Sequence, residues 1–363
     1  RGEVMMVLRQ RRRRRPPGRA WTFGLLVLCL GAPALGLEGP PPTWGSRLRA
    51  SVPRGDALDA TIVKTALPSM ANLAVVPLVG AVDTFWVGRM GNALAQAGQS
   101  AAGTTFFTTF FLVSFVPTIT APLVAAAMGA NDEKEARRRI GDALWLSGLM
   151  GAVGTVLLAG FPKTACSLVL SPDAPAAPYA ANYLRLRSLS MVPALVSAVG
   201  FAAYRGMLDT VTPLKISMLT NAANLLLDPL LIFTYRLGVA GAAAATAIAE
   251  GLSALVYVVL LTRRKLLNVR HLASKPPSLK GLAPLLKGGV AVLLRQALLN
   301  LSFVLTTRRA QAIDPSGVAA AAYGIVMQTY SLGVVCQIAV QGTAAALVPT
   351  ARARAGDLEA TRV

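Results

Sequence analysis

Asp83 stands in a run that is otherwise apolar from Leu67 to Gly88, and Asp228 stands in a second such run, four residues after Asn224. A carboxylate removed from water has its charged form disfavoured, so it must be matched by a proton, a cation or hydrogen-bond donors. Asn224 and Asp228, spaced i and i+4, share one helical face. There the asparagine can donate to the protonated acid or offer its carbonyl oxygen to sodium. Asp83, Asn224 and Asp228 therefore form a candidate cation-coupling set, with the proton or sodium as its ion. Asn72, eleven residues before Asp83, is a candidate for the same cavity nearer the start of the helix. Tyr204, beside Arg205 and Asp209, is a second cavity candidate at a turn that could act as a gate. The competing role for either aspartate is to cap a broken helix, as beside Pro229.

Elements that hold acids in such surroundings must cross a membrane. Of 363 residues 54% are hydrophobic and 14% charged, and long uncharged stretches recur from Ile62 onward. That composition belongs to helical membrane proteins, and the fold expected is all-α and polytopic. Eight spans are read, at 62–86, 99–126, 140–162, 180–204, 214–235, 239–262, 288–311 and 318–348. Prolines inside or beside them, among them Pro117, Pro193 and Pro229, fit helices that bend while their neighbours re-satisfy the backbone.

The formal charge of +20 is spread over an N-terminal tract and short loops, not over one recognition face, so no nucleic-acid partner is expected. Alternate loops hold 13 and 5 lysines and arginines, which sets the start of the first span and the 2–3, 4–5 and 6–7 loops on the cytoplasmic side, or its topological equivalent in an organelle. Arg185 and Arg187 fall on the opposite side in this reading, near the start of the fourth span. Spans one and five then run in the same direction, and Asp83 and Asp228 lie at similar depth. Cys29, Cys166 and Cys336 have no metal-ligand spacing. No Walker loop, zinc motif or nucleophile elbow appears, the single histidine, His271, sits in a basic connector, and no enzyme is expected.

Ahead of the spans, Arg11–Arg15, the apolar stretch from Trp21 to Leu30 and Ala32-Pro33-Ala34 follow the order of a signal peptide. The stretch from Leu37 to Arg54 reads as a transit segment behind it. The pattern suits an organism whose plastid is reached through the secretory route; a plasma-membrane or endomembrane leader is the alternative.

Leu94–Gly98 and Ala130–Ala136 find counterparts in Val318–Ala322 and Ala355–Ala360, at an offset of 224 or 225 residues that encloses six spans. Two related six-helix lobes follow, with the repeats parallel because the number of spans is even. Four parts are expected: a leader over 1–60, a first lobe over 61–265, a basic connector over 266–287, and the first two helices of an incomplete second lobe over 288–363. The offset equates Asp83 with Thr307, so the aspartate site belongs to one lobe.

The segment Pro77 to Gly91, with Asn224-Leu225-Leu226-Leu227-Asp228-Pro229 and the stretch from Tyr204 to Pro213, resembles the multidrug and toxic compound extrusion family, in particular its DinF-like branch and, with the leader, a plastid-targeted algal member. The resemblance implies a two-lobe antiporter that exports organic solutes or xenobiotics in exchange for protons or sodium. It assigns coupling roles to Asp83, Asn224 and Asp228. It implies no cofactor beyond the coupling ion, and the bilayer and an organic small molecule as partners, without an obligate protein partner. Lipid-flipping carriers of similar two-lobe build are the alternative.

Overall fold

The computed structural model describes residues 57–167, 169, 173–268, 277–313 and 318–355. The leader and His271 lie outside these residues. All of the described residues belong to one unit, Gly55–Val363.

Helices occupy each expected span. They are α1 (Ala57–Gly88), α2 (Ala93–Val113), α3 (Phe115–Gly129), α4 (Glu133–Gly160), the short α5 (Pro162–Cys166), α6 (Ala177–Arg187), α7 (Met191–Gly206), α8 (Val211–Pro229), α9 (Val239–Arg263), α10 (Leu279–Ile313) and α11 (Val318–Ala355). By length and hydropathy, six described segments can cross a membrane, and the bent pair α2–α3 makes a seventh. The first helix, α1, is 32 residues long. At about 1.5 Å per residue it exceeds the ~30 Å hydrocarbon core. On α4 the exposed Leu149, Val153, Val156 and Leu157 follow helical spacing and form a lipid-facing stripe. Helix α10 begins at Leu279, earlier than the expected 288, so the last part of the basic connector is helical.

Prolines break the spans where their missing N–H leaves a carbonyl without its usual donor. Pro117 cannot bond the carbonyl of Val113, and there the second span bends by 40°, with the Ser114 hydroxyl donating to Phe111 O at 2.8 Å. Pro193 likewise follows a tightened 3₁₀ turn, Ser188–Ser190, that separates α6 from α7. Hydroxyls take up carbonyls there: Thr155 donates to Ser188 O at 2.9 Å and Ser190 to Arg187 O at 2.7 Å. After Pro229 the chain widens into a π turn, Leu230–Thr234. Two of the three breaks adjoin a buried charged residue, Arg187 or Asp228.

Helix starts use the expected chemistry. Asn92 accepts from Ala95 N at 3.1 Å, and Asp132 from Glu135 N at 2.9 Å, with Glu133 and Glu135 in the positive first turn of α4. Small residues set close helix contacts, as in lipid, where apolar burial alone does not favour one pairing over another. At Gly200 of α7 an added Cβ would lie 2.5 Å from the Tyr257 ring of α9.

Helices α3 and α11 touch: the Thr350 hydroxyl lies 3.3 Å from Ala125 O, 225 residues away in sequence. One turn on, a Cβ at Gly129 would lie 3.0 Å from Ala353 Cβ. Two apolar cores lie between the helices, and the second extends to Leu282 and Leu285 of α10. One gathers Phe106, Tyr183, Leu184, Met191 and Leu195; the other gathers Phe115, Ile140, Leu144, Val199, Tyr204, Tyr257 and Leu261.

Candidate functional site

Helices α1 and α8 pack side by side. Asn72 on α1 accepts from the Ser217 hydroxyl of α8 at 2.7 Å, and Asp83 lies within hydrogen-bonding reach of Asp228. Both pairs are 145 residues apart in sequence, and eleven residues separate them on each helix. A constant offset over eleven residues, ~16 Å of helix, means that the two helices run in the same direction and in register. The depth match expected for the first and fifth spans is therefore a direct meeting of their acids.

Asp228 is fully buried and Asp83 nearly so. Asn224 Nδ2 donates to Asp228 Oδ1 at 3.3 Å, and the Thr246 hydroxyl of α9 lies 3.4 Å from Asp83 Oδ2. That hydroxyl is closer to Ala242 O, at 2.9 Å, so its single proton belongs mainly to its own helix. Asp83 Oδ1 and Asp228 Oδ2 have no hydrogen-bond partner. Two carboxylates can bond each other only when a proton or a cation lies between them. Two acids so placed can share a single proton or cation.

Asp83 opens into a cavity of about 1090 Å³ whose lining comes from α1, α2, α6, α7, α8 and α9, all within the first six spans. One wall is aromatic, with Phe106, Phe107, Phe110 and Phe111 of α2. The facing stripe of α8 carries Ser217, Thr220, Asn221 and Asn224 at helical spacing. Asn72 touches this lining through Ser217. Tyr204 does not line the cavity: it is buried in the second core, 6.1 Å from the Tyr257 ring, with Arg264 4.8 Å above its own ring. The reason is local. Tyr204 lies in the last turn of α7, below the cavity, where the chain reverses through Leu208 at φ 60°. Asp209 on that turn accepts from Thr212 N at 3.0 Å, from the Thr212 hydroxyl at 2.8 Å and from Arg264 at 2.9 Å. Burial opposes its charge, but these donors outweigh burial and hold its carboxyl below the ordinary 3.8.

Two site residues escaped the sequence reading. Glu250 is the one acid of α9, four residues after Thr246, and a lone acid in an apolar span is the same signal that singled out Asp83. Arg187 was expected near a membrane surface. It stands at the end of α6, eleven residues long, where the span breaks; its side chain is 7% exposed and bonds Glu250 at 2.8 Å. Loop counting by charge cannot tell a basic residue at a mid-span break from one at a span's edge. Arg185, two residues earlier, is exposed. Trp86, three residues after Asp83, packs edge-on against Phe85 and Phe233 with its Nε1 buried and unpartnered.

The MatE family model matches residues 68–230, a segment that contains Asp83, Asn224 and Asp228. Over 206 residues the chain is 34% identical to Protein DETOXIFICATION 44, chloroplastic, of Arabidopsis thaliana, covering 54% of this chain and 39% of that protein. Over 217 residues it is 29% identical to DNA damage-inducible protein F of Escherichia coli (strain K12), covering 60% and 47%. The chain thus spans about half, or less, of the length of these curated relatives. The fold is that of solved MATE structures. A MATE structure in the bent conformation superposes with TM-score 0.72 at 23% identity, over 88% of this chain and 69% of that one. An outward-facing multidrug resistance MATE family transporter of the MOP superfamily gives 0.70 at 22%, over 83% and 66%.

Proposed function

We propose that this chain is a member of the MATE family and a secondary active antiporter, not an enzyme, a reading that the matched segment and the shared fold support. It exports organic solutes or xenobiotics in exchange for protons or sodium. The observation that carries this reading is the meeting of Asp83 and Asp228, flanked by Asn224 and Thr246, at the edge of a cavity of about 1090 Å³. That volume is slightly above the ~300–1,000 Å³ typical of sites for drug-sized ligands. Its two unlike walls suit an amphipathic molecule with a flat apolar body and polar substituents.

The chemistry follows from charge. Without a cation the two acids repel each other across a dry contact; with one bound they are drawn together and α1 is clamped to α8. Any conformational change that separates these helices therefore differs in cation affinity between its two states, which is what coupling requires. The likeness to DNA damage-inducible protein F supports placing the chain in a DinF-like branch, and the likeness to a chloroplastic relative supports a plastid membrane.

The test is efflux from proteoliposomes under separately imposed proton and sodium gradients, comparing wild type with Asp83→Asn. Gradient-driven efflux of organic substrates that is lost in the variant is the expected result. Wild-type protein without gradient-dependent flux over a broad panel of organic cations and anions would sink the reading. A fluorescent fusion that carries the leader, seen at the plastid envelope or elsewhere, decides the membrane.

A further inference from the structure

Two charged groups of the cavity take no part in the aspartate site. Arg187 comes from α6 and Glu250 from α9, and they pair at 2.8 Å with side chains 7% and 26% exposed. Arg187 is held on its other sides as well. Its guanidinium lies 4.0 Å above the Phe106 ring, and Nη1 donates to the Ser190 hydroxyl in the 3₁₀ turn. It is a fixed positive charge. Glu250 is freer: Oε1 accepts from Arg187, while Oε2 is buried without a partner.

The pair is connected to the aspartates. Glu250 stands one helical turn after Thr246, whose hydroxyl reaches Asp83, so α9 presents both to the same space. Among the described residues the titratable groups that act on Asp83 are Asp228 from α8, Glu250 from α9, and Arg187 and Tyr183 from α6. Helix α2 faces the cavity with Gln96 and Gln99 instead of charge, and Arg352 and Arg354 of α11 stand in its last turn. Alone, Arg187 would oppose the binding of any cation at the aspartates. Glu250 cancels that field while the two remain paired.

We propose that the Arg187–Glu250 pair is an electrostatic counterweight that sets the cation concentration at which the Asp83–Asp228 site loads and unloads. The proposal rests on the reading of those aspartates as the coupling site. It gives antiport the required sign: a substrate donor that reaches Glu250 Oε2 draws charge away from Arg187, unmasks the guanidinium and weakens cation binding at Asp83.

Trp86, three residues from Asp83, reports the site without any substrate. With Trp21, Trp44 and Trp145 changed to Phe, its fluorescence is titrated with protons and with sodium in reconstituted protein. Asp83→Asn should abolish the transition. Glu250→Gln should raise the midpoint concentration roughly tenfold, about one pH unit toward acid, the effect of one unit charge about 10 Å away. Arg187→Gln should shift it the other way, and the double variant should return to within about twofold of wild type. Arg187→Lys, which keeps the charge, should leave the midpoint in place and serves if Arg187→Gln does not fold. General damage to packing would move both single variants in the same direction. That result, or a midpoint that Glu250→Gln leaves unmoved, overturns the counterweight while the coupling site stands. A transition that survives Asp83→Asn overturns both.

Discussion

Asp228→Asn tests the aspartate pair most directly, because its effect can be worked from the contact itself. An asparagine keeps the size of the side chain and can still accept from Asn224, whose amide lies 3.3 Å from Asp228 Oδ1. What it removes is one negative charge at hydrogen-bonding distance from Asp83. At about 4 Å and an effective dielectric near 20, two unit charges interact by ~4 kcal/mol. That is on the order of a thousandfold in the cation concentration needed for half-maximal flux. The new amide can also donate to the Asp83 carboxylate and compete with the cation, which moves the midpoint in the same direction. Thr246→Val supplies the contrast. Its hydroxyl lies 3.4 Å from Asp83 but 2.9 Å from Ala242 O, so it gives Asp83 little, and its loss should cost no more than about fivefold, below the ~1 kcal/mol of an average hydrogen bond. The assay is initial efflux rate against cation concentration in proteoliposomes. A shift for Asp228→Asn no larger than that for Thr246→Val would refute the assignment of the pair as the cation site.

Further outcomes follow from the packing. Gly200→Ala forces a Cβ to within 2.5 Å of the Tyr257 ring and should destabilise by about 1–3 kcal/mol in thermal unfolding in detergent, whereas Gly103→Ala, which meets nothing within 4 Å, should be neutral. Gly129→Ala places a Cβ 2.7 Å from Thr350 O, a backbone atom of α11, and should likewise destabilise by about 1–3 kcal/mol; an unchanged unfolding temperature would contradict the α3–α11 contact. Asp209, with its carboxyl held below 3.8, adds stability that is complete above the ordinary carboxylate range and is lost as pH falls through the lowered value. Asp209→Asn should therefore lower the unfolding temperature near neutrality and flatten its acid-side dependence.

Much of this protein is legible along the chain. Apolar stretches long enough to span a bilayer fix the helices, because every backbone polar group in hydrocarbon must be paired within its own segment. An acid inside such a stretch conflicts with its surroundings, and that conflict alone marks Asp83, while the i,i+4 spacing marks Asn224 with Asp228. The contact between Ala125 and Thr350, which packs α3 against α11, is between residues 225 apart, the offset expected from weak sequence matches. What could not be read is which groups face one another across helices. That Asp83 meets Asp228 depends on the register of α1 against α8; that Arg187 is buried, and not at a membrane surface, depends on the turn before Pro193; that Tyr204 sits below the cavity depends on the reversal at Leu208. Periodicity is a property of one helix and is written in its own residues. Pairing in a membrane is decided by small residues and close contacts from distant segments, such as Gly200 against Tyr257, and only the assembled structure brings those together.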